Sequence, residues 1–334
     1  MTCNIAAIAI AIPLNAQSPG RVPHESDTLA VSRSRVVATL ADSSFWPEGV
    51  DYDPRTGRYY LASVRHGTIA ELRRDGSVRE LWPRGRRGVG AVLGVRVDTA
   101  RGVLWATTSS LPQAEGFDPG SLPVAALLRV RIADGKIERR WDVAPTARGH
   151  VLGDLAVAPN GDVWMTDSFE PVVYRLRAGG DTLEPISSPL FRSLQGAAPT
   201  ADGRTLFLSD YSRGLLALDV ATGEVTRVED AADMSSRGCD GIVLDADGAI
   251  IAVQNGVSPA RVVRFVVDSA RRRVVSATVI DRNPAIADEP TIGTIAGDSF
   301  VYVANSQWEK YDEAGRRKPG VALTAPVLLG VPLR

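Results

Sequence analysis

The sequence predicts an all-β fold, a six-bladed β-propeller of four-stranded antiparallel blades, and three observations support this prediction. The 31 glycines and 21 prolines of the 334-residue chain separate short apolar runs, and long helical periodicity is hard to find. One hairpin pattern recurs six times along the chain. Each copy continues into a third and often a fourth strand, as in GTIAELRRDG followed by SVRELW. Radial repetition of such four-stranded units is typical of propeller blades.

The repeated hairpin begins with a residue that is followed by glycine or, in the copy that starts at Gly153, by aspartate. A strand, a turn rich in Asp, Asn and Gly, and a returning strand follow. A single sheet of this kind cannot bury both of its faces, so neighbouring blades must cover them. A β-sandwich with accidental similarity between its hairpins is the alternative. The copies are EGVDYDPRTGRYYLAS from Glu48, LGVRVDTARGVLWATT from Leu93, GDLAVAPNGDVWMTDS from Gly153, QGAAPTADGRTLFLSD from Gln195, DGIVLDADGAIIAVQN from Asp240 and IGTIAGDSFVYVANS from Ile292.

Two segments flank the repeats, VVATLADS from Val36 and APVLLGVPL from Ala325. Our hypothesis is that they share one blade and so close the ring. On this interpretation residues 35–334 form one propeller without an independent second domain.

The first 16 residues, MTCNIAAIAIAIPLNA, carry no charged side chain and contain an apolar run too short to span a bilayer. Small residues follow this run, as in a signal-peptide cleavage site. We therefore predict a signal peptide at 1–16, a polar linker at 17–34, and a periplasmic or secreted protein. A frayed apolar tail is the alternative, and no membrane-spanning segment is predicted later in the chain.

The charge balance and the known short motifs exclude several classes of function. With 38 basic and 39 acidic residues, the chain has no basic excess to attract nucleic acid. No G-x-S-x-G elbow, HExxH motif, P-loop or dinucleotide fingerprint is present, which argues against a serine hydrolase, zinc protease, kinase or Rossmann-type dehydrogenase. Cleavage after Ala16 would leave Cys239 as the single cysteine, and we predict that it is a small buried residue.

The propeller geometry predicts where polar side chains converge. The first strand of each blade lines the central axis, so the opening residues of the six hairpins form a ring. The antiparallel second strand ends at the same mouth. Oxygen-bearing side chains in such a place suit a hard divalent cation. The ring consists of Glu48, Leu93, Gly153, Gln195, Asp240 and either Thr291 or Ile292, and the second strands add Asp167, Asp210, Asn255 and Asn305.

The chain resembles the gluconolactonase, regucalcin and senescence-marker-protein superfamily of six-bladed propellers. The segments that carry the resemblance are PEGVDYDPRTGRYY, LGDLAVAPNGDVWMTDS, LQGAAPTADGRTLFLSDYSRGLLALD and CDGIVLDADGAIIAVQNG. The ending EPTIGTIAGDSFVYVANSQW is similar to an exported bacterial branch of this superfamily. The resemblance implies a divalent metal, calcium in particular, at the axis, and hydrolysis of lactones or related esters.

Carried over residue by residue, the resemblance implies Glu48, Gln195 and Asp240 as metal ligands. The family has an Asn ligand where this chain has Gly153, so one ligand is missing, and Gln195 is longer than the Asn usual at its position. Asp240 is also the implied general base. We expect His150, in the loop RGHVLGD, to be a second candidate for proton transfer. Further candidates for supporting the site or contacting substrate are Asp154, Asp210, Asn255 and Asn305.

Two functions remain open at this point. The first is a divalent-metal-dependent hydrolase of a small-molecule lactone or ester, with Asp240 or His150 moving the proton. The second is a non-catalytic exported propeller that binds a ligand or a protein, with a structural ion or none. The retained Glu48 and Asp240 favour the first, and Gly153 favours the second. The long connection at 109–125 interrupts the second blade on the mouth side, and we expect it to act as a lid.

Overall fold

A computed structural model of the chain describes residues 32–73 and 77–334. The predicted signal peptide and most of the predicted linker therefore lie outside the described residues. The described residues form six sheets, each of four antiparallel strands. A single 3-10 turn, Trp308–Lys310, interrupts the otherwise β structure of this part of the chain. The all-β, six-bladed prediction is confirmed.

The first three blades each follow the chain from the innermost to the outermost strand. Blade 1 consists of β2 (Pro47–Asp53), β3 (Arg58–Ser63), β4 (Thr68–Leu72) and β5 (Val78–Glu80). Blade 2 consists of β6 (Ala91–Asp98), β7 (Val103–Ser109), β8 (Ala125–Arg131) and β9 (Ile137–Asp142). Blade 3 consists of β10 (Leu152–Val157), β11 (Val163–Asp167), β12 (Val172–Leu176) and β13 (Leu183–Ser187).

The next two blades repeat this order, and the last one breaks it. Blade 4 consists of β14 (Leu194–Pro199), β15 (Thr205–Asp210), β16 (Gly214–Asp219) and β17 (Val225–Arg227). Blade 5 consists of β18 (Cys239–Leu244), β19 (Ile250–Gln254), β20 (Arg261–Val267) and β21 (Val274–Arg282). Blade 6 consists of β22 (Gly293–Ala296), β23 (Ser299–Val303), β24 (Val327–Pro332) and, outermost, β1 (Arg35–Thr39) from the start of the described chain.

The ring closes through the pairing of β1 with β24. Arg35 lies opposite Gly330, and Thr39 lies opposite Val327. The two flanking segments of the sequence therefore share one blade, as hypothesised. Closure leaves no blade without a neighbour on either side, so every inner sheet face is covered.

Apolar side chains fill the space between neighbouring blades. Tyr60 and Ile69 of blade 1 pack with Val92 and Leu104 of blade 2. Equivalent buried clusters join blades 2 and 3, 3 and 4, 4 and 5, 5 and 6, and 6 and 1. Cys239 is buried in the cluster between blades 4 and 5 and forms no disulfide, as predicted.

The hairpin turns use their carboxylates locally. Asp53 accepts hydrogen bonds from the Arg55 backbone N–H (3.0 Å) and from the Thr56 hydroxyl (3.0 Å). Gly57 closes this turn with a φ of 70°, a conformation that glycine adopts without strain. Turn residues of this kind fix the strand register, and they lie at the end of the propeller opposite the predicted mouth. Within the described residues, no helix is long and apolar enough to cross a membrane.

Candidate axial site

The inner strands of blades 1 to 5 carry a β-bulge at the same place near their beginning. In each of them two successive residues fall outside the regular pairing with the second strand. The first residue of every bulge is the ring residue predicted from the sequence. Bulges redirect side chains locally and are common next to functional sites. The five bulges are Glu48–Gly49, Leu93–Gly94, Gly153–Asp154, Gln195–Gly196 and Asp240–Gly241.

Glycine at the second bulge position allows the blades to approach each other. A Cβ atom on Gly49 would lie 2.5 Å from the Leu93 carbonyl oxygen of the next blade. A Cβ atom on Gly196 would lie 2.6 Å from the Ile242 backbone nitrogen. Backbone atoms cannot yield at these distances, so close packing near the axis requires glycine. Blade 3 reverses the order, with the glycine first and Asp154 second.

The side chain of Asp154 makes a contact between blades 2 and 3. Its carboxylate lies 3.0 Å from the Arg96 guanidinium of blade 2 and accepts a hydrogen bond from the Leu155 backbone N–H (2.8 Å). Burial raises the pKa of Asp154, and Arg96 opposes that effect. Asp154 is therefore a member of a buried ion pair that links the inner strands of blades 2 and 3.

Hydroxyl groups hold the backbone of the ring residues. Thr166 donates to the Gln195 carbonyl oxygen, Ser209 donates to the Asp240 carbonyl oxygen (2.6 Å), and Thr291 donates to the Glu48 carbonyl oxygen (2.8 Å). Each hydroxyl belongs to the blade that precedes the ring residue. The ring residues are thus positioned by contacts between blades as well as by their own strands.

Glu48 is almost fully buried, with 8% of its surface exposed. Its carboxylate accepts a hydrogen bond from the Trp308 indole N–H (2.8 Å). Burial, followed by the negative charge of Asp240, raises the pKa of Glu48 well above its usual range. A buried carboxylate with one neutral donor is costly to ionise, and a bound cation would offset that cost.

Asp240 keeps partial contact with solvent at the mouth although protein atoms surround it. Its carboxylate accepts a hydrogen bond from the Asn255 amide (2.8 Å), which also donates to the Pro290 carbonyl oxygen (2.9 Å). Burial raises the pKa of Asp240, and the hydrogen bond from Asn255 opposes this effect. The amide oxygen of Asn255 is buried without a hydrogen-bond partner. Asn255 therefore holds the Asp240 carboxylate in place.

Gln195 lies beside the position where Gly153 lacks a side chain. A Cβ atom on Gly153 would meet the Ser168 hydroxyl oxygen at 3.3 Å and the Gln195 amide oxygen at 3.9 Å. The longer amide thus reaches the edge of the space that the missing ligand would occupy. The Gln195 amide nitrogen makes a long contact, 3.5 Å, with the Ser193 hydroxyl.

His150 is held between two acceptors that do not belong to the ring. Its Nδ1 lies 2.5 Å from the Asp167 carboxylate, and its Nε2 lies 2.9 Å from the Ala144 carbonyl oxygen. Asp167 also accepts hydrogen bonds from the backbone N–H groups of Val151 and Phe169. The contacts of His150 therefore fix the loop that precedes blade 3.

Asp210 and Asn305 likewise bind loops. Asp210 accepts hydrogen bonds from the backbone N–H groups of Arg192 (2.7 Å) and Ser193 (2.9 Å). Asn305 donates to the Ala325 carbonyl oxygen (2.9 Å) and accepts from the Val327 backbone N–H (2.8 Å). Neither side chain is brought to Glu48 or Asp240 by these contacts.

Two residues near the ring were missed by sequence reasoning, Trp308 and Glu289. Trp308 follows the last hairpin and belongs to the long segment between β23 and β24. Burial raises the pKa of Glu289 to about 7, and its negative charge acts on Glu48. One carboxylate oxygen of Glu289 is buried without a hydrogen-bond partner. Glu289 is the first and Trp308 the last residue of the segment EPTIGTIAGDSFVYVANSQW, and no other sequence feature pointed to either residue.

Two loops cover one side of the mouth. Trp46 packs edge-on against Trp308, with ring centroids 4.9 Å apart, and stacks on Tyr311 at 4.4 Å. Leu111 and Ala114, from the long connection in blade 2, belong to the same buried cluster. The mouth is therefore roofed over Glu48, whereas Gly153, Gln195 and Asp240 retain partial exposure.

Three residues of the ring carry oxygen donors of the kind that hard divalent cations bind. Glu48, Gln195 and Asp240 offer two carboxylates and one amide oxygen, which are the donors that calcium prefers. No group of three or more His, Cys, Asp or Glu side chains within residues 32–73 and 77–334 is arranged to hold a metal. Glu48, Gln195 and Asp240 would hold such an ion.

Comparison with known proteins places the chain in a family. The SMP-30/gluconolactonase/LRE-like region matches residues 46–287. The chain belongs to this family. A search of curated proteins returned no match. The match spans the five bulged inner strands and both axial carboxylates.

The solved structures with similar folds are of proteins that are named for several different activities. A gluconolactonase from Xanthomonas campestris has a TM-score of 0.59, with 19% identity and 95% of each chain covered. Virginiamycin B lyase from Staphylococcus aureus has a TM-score of 0.60, with 13% identity over 90% of this chain and 99% of the other. An aldose sugar dehydrogenase from Streptomyces coelicolor has a TM-score of 0.55, with 15% identity over 89% and 98%. At these identities the similarity shows the fold alone. One fold can carry many different activities, so the function of this chain has to be argued from its own site.

Proposed function

We propose that this protein is a divalent-metal-dependent hydrolase of a small lactone or related ester, with its active site at the axial mouth. The observation that carries the proposal is the pair Glu48 and Asp240. They occupy the same bulge position in different blades, and both have a raised pKa. Family membership and the gluconolactonases among similar folds support the lactone class.

Calcium is the ion we propose for the ring, held by Glu48, Gln195 and Asp240. A bound divalent cation supplies a Lewis acid that polarises the scissile carbonyl and lowers the pKa of water. Trp308 covers Glu48 and excludes solvent from that side of the ring. Asp240 faces the partly exposed side and accepts the proton from the attacking water, while the Asn255 amide keeps its carboxylate oriented. His150 remains a second candidate for proton transfer if its loop moves.

Melting temperature measured against calcium concentration tests the proposal in the parent and two variants. Calcium that binds only the folded state raises the parent's melting temperature by mass action. Asp240→Asn keeps the size of the side chain but removes one charge and the proposed base. We expect it to lose most of the calcium response and most of the activity on a panel of lactones. Gly153→Asn supplies the missing amide oxygen, and we expect a response at lower calcium concentration.

The result against the proposal is equally definite. If the parent shows no response to calcium, magnesium, manganese or zinc, and Gly153→Asn creates none, the ring does not bind an ion. The second candidate would then hold, a non-catalytic exported propeller that binds a ligand or protein at its mouth. The absence of a side chain at Gly153 and the roof over Glu48 are the observations that favour this candidate.

A further inference from the structure

A serine, a histidine and a glutamate meet on blade 1, outside the axial ring. The Ser44 hydroxyl oxygen lies 3.1 Å from Nε2 of His66. Nδ1 of His66 lies 2.8 Å from a carboxylate oxygen of Glu80. These distances join the three side chains in the order nucleophile, base and orienting acid. Ser44 precedes β2, His66 lies in the turn between β3 and β4, and Glu80 ends β5.

The antiparallel blade explains why the three side chains meet. The beginning of β2, the turn after β3 and the end of β5 all lie at the same end of blade 1, the end of the axial mouth. His66 is fully buried, whereas Ser44 and Glu80 are partly exposed. A substrate can therefore reach the serine, and the packing around the imidazole keeps it fixed. The ring of Phe45 packs edge-on against the imidazole with centroids 5.3 Å apart.

The protonation states suit general-base catalysis. The Glu80 carboxylate only accepts hydrogen bonds, so Nδ1 of His66 carries the proton and Nε2 is the acceptor that faces Ser44. Burial, and then the charge of Arg84, lower the pKa of His66, so the imidazole is neutral at pH 7. A neutral imidazole oriented by a carboxylate is the form that accepts a proton from a serine hydroxyl.

Two charged residues complete the surroundings. Asp42 accepts hydrogen bonds from the Ser44 hydroxyl (2.6 Å) and backbone N–H (2.9 Å), so it competes with His66 for the serine proton. The Arg84 guanidinium lies 2.6 Å from Asp42 and 3.3 Å from Glu80. Arg84 thereby neutralises part of the negative charge beside the serine.

We propose that Ser44, His66 and Glu80 form a second hydrolytic site, a Ser–His–Glu triad that cleaves small carboxylic esters without a metal. The Ser44 oxygen attacks the ester carbonyl while its proton passes to Nε2 of His66. The C–O bond to the alcohol breaks, and His66 returns the proton to the leaving alkoxide. Water then attacks the acyl-serine with His66 as base, which releases the carboxylic acid and restores Ser44.

An active-site-directed fluorophosphonate tests this site on the folded full chain. We expect one adduct, located on Ser44 by peptide mass mapping, that forms in the presence of EDTA. Ser44→Ala abolishes it, Ser43→Ala keeps it, and Glu80→Gln slows it by roughly tenfold or more because the imidazole loses its orienting charge. Ser44→Ala leaves the calcium response of the axial ring unchanged, so the two sites fail independently. An absent adduct, or an adduct that persists in Ser44→Ala, overturns the proposal.

A second variant avoids any loss of folding from changes at the buried His66. Ser44→Cys places a thiol beside the neutral imidazole, and transfer of the thiol proton to Nε2 forms a thiolate–imidazolium pair that lowers the thiol pKa below its usual value of about 8.5. Alkylation of residue 44 by iodoacetamide, located by peptide mass mapping and followed against pH, reports that pKa. Cys3 of the full chain lies on a separate peptide, and Cys239 is buried. We expect a midpoint at least about one pH unit below the usual value. A midpoint near the usual value shows that His66 does not act on residue 44 and overturns the triad.

Discussion

Buried acids with incomplete hydrogen bonding are the residues that distinguish the mouth from the rest of the molecule. Asp53 and Asp210 use their oxygens in hydrogen bonds to the backbone of neighbouring loops. Glu48 is buried and Glu289 is half-buried, both accept few hydrogen bonds, and burial raises the pKa of both. Acids in this condition oppose folding when they ionise, so they indicate a functional requirement at the site.

Glu289 makes this cost measurable. Its pKa in the folded state is raised to about 7, so the folded protein holds a proton that the unfolded chain releases near pH 4.5. Stability from this group is therefore full below about pH 4, and it is lost as the pH rises through 7. We expect Glu289→Gln to remove a decrease on the order of 2 kcal/mol in the free energy of unfolding between pH 5 and pH 8. Urea denaturation at both pH values measures it, with the exposed Glu313→Gln as control. An equal decrease in parent and variant would assign the loss to other groups.

The secondary-structure elements show what the sequence could predict and what it could not. All six hairpins begin within two residues of the start of the repeated pattern, because alternation and turn chemistry are local properties. The bulges were not predicted, since they depend on how closely neighbouring inner strands approach. The contact of His150 with Asp167 was likewise not predicted, because it joins a loop to the end of a strand 17 residues away. The Ser44–His66–Glu80 contact has no motif because three separate segments of the chain provide it.

The bulge glycines give a prediction at the scale of the element. Gly196→Ala places a Cβ atom 2.6 Å from the Ile242 nitrogen, so blades 4 and 5 must separate locally. We expect a loss of about 1–3 kcal/mol in the free energy of unfolding, as for other overpacked sites. Gly153→Ala is the matched control, because the atom nearest to its Cβ is the Ser168 hydroxyl oxygen at 3.3 Å and no backbone atom lies within 4 Å. Chemical denaturation of both variants measures the difference. Equal losses would show that backbone flexibility matters at these positions and that close packing does not.

At the scale of the whole molecule, β1 determines whether the ring is closed. β1 contributes little apolar burial, since Val36 and Val37 are about half exposed, but its backbone pairs with β24 along most of its length. Without it, β24 becomes an exposed edge strand, which is a site for aggregation.

Removing β1 tests this role. We expect a chain that begins at Ala41 to melt several degrees below a chain that begins at Ser32, and to associate at high concentration. Thermal denaturation and light scattering of the two chains measure these effects, and the chain from Ser32 retains β1 as the matched control. Identical melting and scattering would show that the ring holds together without this strand.

The pairing of β1 with β24 also sets an order in time. Arg35 is made long before Gly330, so the strand that completes the ring of blades must wait for its partner while the five intervening blades are translated. Five blades have all their strands earlier, because each is built from a continuous stretch of chain. Long-range pairing of this kind is slow to form. Completion of the last blade is therefore the step at which a nascent chain is most exposed to misfolding. Until β24 has left the ribosome, β1 is free to pair with another strand.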